Sequence, residues 1–328
     1  LHPVRERAAR CVFGDDVPKV FEGSGPAEAA SMGIDSDPDE MALRGNLICL
    51  NPDGTIKNHS AGHISTEEAD ELIKTLNTRL ADGRFKIYTG VSYRHLLKVK
   101  DADKRISCTP PHDVPGAQSM DVMIKADVPE AEETADYLNA LILDSQEILR
   151  DHPVNIRRIA EGKDPANSIW PWSPGYKPSM ETMMTLFGIK KGVVISAVDL
   201  IRGIGVYAGL TPVIVPGATG LADTNYEGKV QAAIDALKGD ADFVFLHIEA
   251  SDEAGHEGDA VLKKRTVEYL DQRVLRPLLD AVNEMDEEVA IAVLPDHPTP
   301  CHLRTHTNHP VPFLIYRPDI TPDGVKHY

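Results

Sequence analysis

Residues 251–259 read SDEAGHEGD and follow the apolar run DFVFLHIEA, so Asp252 and His256 stand four positions apart just beyond a strand. A second pair has the same address. VAIAVLPDHPTP runs a strand into adjacent Asp296 and His297, and LRTHTNHP adds His306 nine residues on. Open α/β sheets bind ligands outside the carboxyl ends of their strands, so both loops are placed to form one site. Carboxylate plus imidazole suits Mn2+, Zn2+ or Fe2+, and no thiolate is placed to select a softer ion. A pair of divalent ions can clamp the attacking and leaving oxygens of a phosphoryl transfer. Each motif taken singly has a bland reading, since Asp-x-x-x-His also forms a surface pair and an aspartate at a strand end often caps the next turn. Their joint occurrence at successive strand ends, with Gly255 and Gly258 permitting tight backbone turns, favours a metal cluster.

The elements that must position these loops follow from the apolar pattern. From residue 191 onward strands expected at 192–196, 212–215, 242–248 and 289–294 alternate with helices, the pattern of a mostly parallel sheet covered on both faces. NYEGKVQAAIDALKG predicts one helix, with Val230, Ile234 and Leu237 on one face, and 259–284 predicts a long amphipathic one that presents Lys263 and Lys264 as its solvated face. Residues 44–176 read as a smaller α+β domain inserted between two parts of the core, 1–43 and 177–328. In that block Ser65 and Glu68 form the pattern of a capping box.

Composition narrows the classes. The 328 residues are 42% hydrophobic, enough for two globular domains, and 51 acidic against 34 basic residues give a formal charge of −17. That balance argues against nucleic-acid or acidic-membrane partners, and an anionic substrate would need locally placed cations. No run approaches the roughly 20 apolar residues of a membrane span, and LHPVRERAAR is too charged for a signal peptide, so a cytoplasmic location is expected. Cys11, Cys49, Cys108 and Cys301 stand far apart and read as reduced thiols. Both ends read as cut, the first charged with no strand before it and the last stopping straight after a turn, so parts of the natural protein are expected to lie outside this chain.

HIEASDEAGHEGD, LPDHPTPCHLRTHT, GATGLADTNYEGK, SAGHISTEEA, GVSYRHLL and ANSIWPW together resemble the archaeal-type cofactor-independent phosphoglycerate mutases of the alkaline-phosphatase superfamily. SPGYKP and SAVDLIRGIG are most similar to a bacterial branch of that family proposed to be an alternative homoserine kinase. The resemblance implies an α/β alkaline-phosphatase-like core with an inserted α+β lid, and interconversion of 3- and 2-phosphoglycerate without 2,3-bisphosphoglycerate. It implies two divalent metal ions, Mn2+ foremost, with Zn2+ or Mg2+ as alternatives. Asp252, His256 and His306 would hold one ion, and Asp296 with His297 the other, together with an N-terminal aspartate and a serine nucleophile. Alignment of 14–34 puts Arg5 where that serine should stand, so either those segments lie outside this chain or it is an inactive relative. Intact ligands favour the first, because an unused cluster of buried acids and histidines is costly to retain.

His63, Arg94 and Asn167 fall in segments that match the family's substrate-facing loops, and Arg202 lies near a lysine that meets the phosphoryl group. The planar fork of arginine suits a phosphate or carboxylate. His63 would otherwise order a helix cap and Arg94 would be a solvated strand residue. Trp170 and Trp172 read as core or domain-interface packing. The expected partner is a small phosphorylated substrate. A phosphatase on the same core is disfavoured by the inserted block, whose closure would exclude water. A kinase is disfavoured by the absence of GxxxxGK[ST].

Overall fold

The computed structural model describes residues 23–325. Arg5, Cys11 and residues 14–22 of the nucleophile alignment lie outside the described residues. The chain divides into two compact units, Phe21–Ser179 and a second that contains Met180–Tyr328.

In the first unit, strand β1 (Met41–Leu50) is the spine. It is apolar and buried along nearly its whole length because it is paired on both edges. It pairs antiparallel with β4 (Arg94–Val99) on one edge and β7 (Ser168–Gly175) on the other, and at Cys49 and Leu50 with β2 (Ile56–Asn58). β3 (Phe85–Tyr88) adds to β4, completing five strands, and β5 (Ile106–Ser107) pairs apart with β6 (Lys125–Ala126). Helix α1 (Ser24–Ser31) sets Ala29 against Ala42 of β1 and Leu96 of β4. This corrects the expected boundary at residue 44. A strand hydrogen-bonded from Met41 to Leu50 cannot be cut in its ladder, and α1 is packed upon it.

Helices α2 (Thr66–Arg79), α3 (Glu132–Arg150) and α4 (Pro153–Ala160) complete this unit. Leu72, Ile73 and Leu76 of α2 and Leu138 and Ile142 of α3 reach the same core as Leu43 and Leu47. Ser65 caps α2, accepting from the Glu68 N–H at 3.2 Å, a contact worth about 1 kcal/mol. Only half of the expected box forms, because the Glu68 carboxylate is drawn to the buried Arg158, 2.5 Å away. Trp170 and Trp172 are core residues, as their pattern suggested, and each still places its N–H, on the Thr109 carbonyl and the Asn46 amide oxygen. Burial pushes the Cys49 thiol up to about 11 and the Cys108 thiol up to about 12, and both are free.

The second unit carries α5 (Met183–Phe187) and a parallel sheet of three strands, β10 (Phe243–Leu246), β8 (Gly192–Ile195) and β9 (Thr211–Val213) in that order. As an edge strand β10 is half-buried rather than enclosed, and Pro212 is tolerated because β9 is the other edge. Helix α6 (Asp199–Tyr207) follows β8, α7 (Tyr226–Gly239) follows β9, and α8 (Ala250–Glu257) follows β10. Asn225 caps α7 through Gly228 N–H.

Two expectations fail here. Residues 259–284 do not form one helix but α9 (Ala260–Tyr269), a π-helical segment Leu270–Leu275 and α10 (Arg276–Val282). Pro277 lacks an N–H and its ring crowds the carbonyl four residues back, which widens the turns just before it. The strand expected at 289–294 is β11 (Ile291–Val293), and it pairs antiparallel with β12 (Leu314–Tyr316), outside the parallel sheet. No described helix is long and apolar enough to cross a membrane.

His95 gives the first unit a pH dependence. Burial holds its imidazole pKa down at about 4, and its Nδ1 accepts from the Gly90 N–H. Between the ordinary histidine range and that value the unfolded chain binds a proton that the folded chain does not, so stability falls as pH falls. From pH 7.5 to 5.5 His95 should cost about 1 kcal/mol. Urea unfolding followed by tryptophan fluorescence reads this directly, since both tryptophans sit in this unit, and His95→Gln should remove that part of the pH dependence.

Candidate metal and phosphoryl-transfer site

Asp252 and His256 share one face of α8 because four residues make about one helical turn. Gly258, at φ 77°, ends the helix in the left-handed conformation that a glycine adopts without strain and turns the chain away two residues past His256. Asp296 and His297 follow β11, and the loop through Pro300 returns to bring His306 alongside, its Thr307 N–H held by the Pro298 carbonyl at 3.0 Å. All five predicted ligands converge. His256 Nε2 lies 2.9 Å from His306 Nε2, and each is 3.4 Å from an oxygen of Asp252. The rings of His297 and His306 are 3.7 Å apart at their centres, and His297 Nε2 stands 3.2 Å from Asp296 Oδ2.

These spacings fit a cation. Metal–ligand bonds of about 2.0–2.1 Å at angles between octahedral and tetrahedral separate neighbouring ligand atoms by about 2.9–3.4 Å. The hydrogen-bond pattern fits as well. His256 Nδ1 lies 3.1 Å from the Arg304 carbonyl, which can only accept, so its proton is on Nδ1 and the Nε2 lone pair faces His306 and Asp252. His297 Nε2 is buried and makes no hydrogen bond despite the carboxylate beside it. Glu249 and Glu253 bring further carboxylates within 4.8 Å of that of Asp252.

Of the predicted substrate residues, Arg202 lies on α6 of the same unit and pairs with Asp199. His63, Arg94 and Asn167 belong to the first unit. His63 is exposed with a left-handed backbone, φ 54°, and Arg94 opens β4 with its guanidinium 5.6 Å from the Tyr93 ring. Asn167 is a clip: its amide accepts from Leu50 N–H at 2.7 Å and donates to Leu50 O at 2.9 Å. Lys263 is not merely solvated, as expected, but reaches the Thr299 carbonyl at 2.6 Å, while Lys264 is exposed and pairs with Glu268.

Sequence reading missed several groups. The Thr299 hydroxyl contacts Asp252 and His297, and the Arg304 carbonyl contacts His256. Ser196 and His247, at the ends of β8 and β10, are 3.0 Å apart, and the His247 carbonyl accepts from Lys229 Nζ, whose pKa burial pushes down to about 8. In the first unit His59 and His112 form an edge-to-face cluster with Tyr93 and Trp172, and burial lowers the pKa of both histidines. Arg44 stacks over Trp172 at 4.4 Å and pairs with Glu28. The doubled use of His in NHSAGHIS was the one signal for His59.

Comparison with known proteins gives this chemistry a family. A family model described as 2,3-bisphosphoglycerate-independent phosphoglycerate mutase matches residues 2–155. A protein of that name from Methanosarcina acetivorans is 47% identical over 328 residues, spanning 99% of this chain and 80% of its own length. The solved cofactor-independent phosphoglycerate mutase of Thermoplasma acidophilum superposes with a TM-score of 0.62 at 26% identity, covering 96% of this chain and 77% of that one. A Pyrococcus horikoshii structure superposes with a TM-score of 0.74 at 27% identity, covering 95% and 73%. The fold and the site define an α/β protein with a carboxylate–imidazole cluster at strand ends. The chain belongs to the 2,3-bisphosphoglycerate-independent phosphoglycerate mutase family.

If the cluster is two metal positions, His256→Ala should lower the Mn2+ content of the purified protein by up to one ion per chain. Asp296→Ala combined with His297→Ala should remove the other. Elemental analysis after chelation and reloading checks both, and unchanged content in the double variant contradicts the second position.

Proposed function

We propose that this chain interconverts 3-phosphoglycerate and 2-phosphoglycerate as a metal-dependent phosphotransferase, needing no 2,3-bisphosphoglycerate. The observation that carries the metal dependence is the triangle of Asp252, His256 and His306 with the His256 lone pair turned inward by the Arg304 carbonyl. On this reading Asp252, His256 and His306 hold one divalent ion and Asp296 with His297 the second, on an alkaline-phosphatase-like core. Bound divalent ions would supply positive charge to a phosphoryl oxygen and lower the pKa of an attacking hydroxyl.

The protein's own residues divide the remaining work. The phosphoryl carrier implied by the resemblance is a serine that this chain does not contain, since Arg5 stands at its aligned place, so the two half-reactions are those of a full protein that supplies it. In the first half-reaction its Oγ–P bond forms as the P–O3 bond of 3-phosphoglycerate breaks, and the serine proton passes to O3. In the second, the 2-hydroxyl of glycerate takes the phosphoryl group, the Oγ–P bond breaks and the hydroxyl proton returns to the serine. Arg202 is the cation proposed for the phosphoryl group, oriented along α6 by Asp199. Arg94 and His63 are proposed to hold glycerate between the two steps, Arg94 through paired hydrogen bonds to a carboxylate. Asn167 is left out of this set because its amide is already engaged by Leu50. The first unit acts on this reading as a lid that keeps water from the phosphoryl group.

The full protein loaded with Mn2+ should interconvert the two phosphoglycerates with neither 2,3-bisphosphoglycerate nor nucleotide, lose the activity to a chelator and regain it on adding Mn2+. Arg94→Ala should lower kcat/KM by about 100-fold with metal content unchanged, since it removes orientation rather than an ion. No mutase activity from metal-replete protein, alongside nucleotide-dependent phosphorylation of homoserine, would overturn the proposal.

A further inference from the structure

The two metal positions are joined by one side chain. Thr299 is 2% exposed, and its hydroxyl lies in hydrogen-bond contact with Asp252 Oδ1, a ligand of the first position, and 3.3 Å from Nδ1 of His297, a ligand of the second. A hydroxyl has one proton. Directed to the Asp252 carboxylate, which can only accept, that proton leaves the oxygen lone pairs to receive the Nδ1–H of His297. The neutral imidazole is then set in the tautomer whose Nε2 carries the lone pair, and Nε2 is the buried atom without a hydrogen bond, 3.2 Å from Asp296 Oδ2.

The hydroxyl is held in place from several sides. Pro298 and Pro300 flank it and limit the backbone on both sides. Their carbonyls anchor the returning loop, Pro298 taking the Thr307 N–H and Pro300 the N–H groups of Leu303 and Arg304. Lys263 Nζ grips the Thr299 carbonyl at 2.6 Å. Helix α8 comes so near that a Cβ at Gly255 would stand 2.4 Å from that carbonyl oxygen, which explains a glycine inside the ligand-bearing helix.

We propose that Thr299 is the positioning residue that couples the two metal positions, orienting Asp252 and setting the tautomer of His297 through one hydroxyl. The inference rests on the metal reading above. Partners of this kind, behind the ligands, govern affinity by about 10- to 100-fold. Thr299→Val keeps the branched shape and removes the hydroxyl; Thr299→Ser keeps the hydroxyl.

The test is Mn2+ binding by the full protein, read as affinity and stoichiometry by competition with a chelating dye and as the spin-resonance spectrum of the bound ion. Expected is a 10- to 100-fold loss of affinity in T299V, felt at both positions, with T299S close to wild type. Should T299V fail to fold, T299A read against T299S makes the same comparison. Two ions bound by T299V or T299A with wild-type affinity and spectrum would overturn the role of Thr299 and leave the metal reading standing. A wild-type protein that takes up no ions would overturn the metal reading and this inference with it.

Discussion

Two carboxylates and three imidazoles drawn together are unfavourable without a cation between them. Asp252, His297 and His306 are almost fully buried, and their oxygen and nitrogen atoms lie 3.4–4.0 Å apart. The Asp252 carboxylate so placed loses hydration, and the buried Nε2 of His297 makes no hydrogen bond. A divalent ion reverses each of those terms. The surrounding loops make sense as the means of holding that unfavourable set ready for charge.

The holding is done chiefly by backbone and by small residues. Strands β10 and β11 deliver the acids, α8 stacks Asp252 over His256, and the Arg304 carbonyl fixes the ring of His256. Arg304 itself adopts φ 54°, a sparsely populated conformation for a side chain of that size. It stands beside the acid–histidine cluster, where a returning loop must bring His306 back within reach of Asp252. The first unit is built differently, around a long buried strand, with cations and histidines on aromatic faces rather than around acids.

The convergence of the acid–histidine cluster was legible because it is carried by side-chain type and strand-end position. Asp252, His256, Asp296, His297 and His306 needed only their spacing and the apolar runs before them. Thr299 and the Arg304 carbonyl were not legible, since a threonine between prolines carries no chemical signature and a carbonyl belongs to every residue. Periodicity foresaw α7 and the strands of the parallel sheet, which depend on local pattern. It failed at Pro277, where a missing N–H splits an otherwise continuous amphipathic run, and at β11, whose partner Leu314–Tyr316 is chosen by tertiary pairing. The same limit misplaced the domain boundary, since the membership of α1 is decided by packing on β1 and β4.

The central claim is that the acid–histidine cluster is a two-cation site, and diffraction at the manganese absorption edge tests it most directly. Crystals of the protein grown with Mn2+ should show two anomalous peaks, one between Asp252, His256 and His306 and one beside Asp296 and His297. Crystals of catalytically active protein with no anomalous peak at these residues would contradict it.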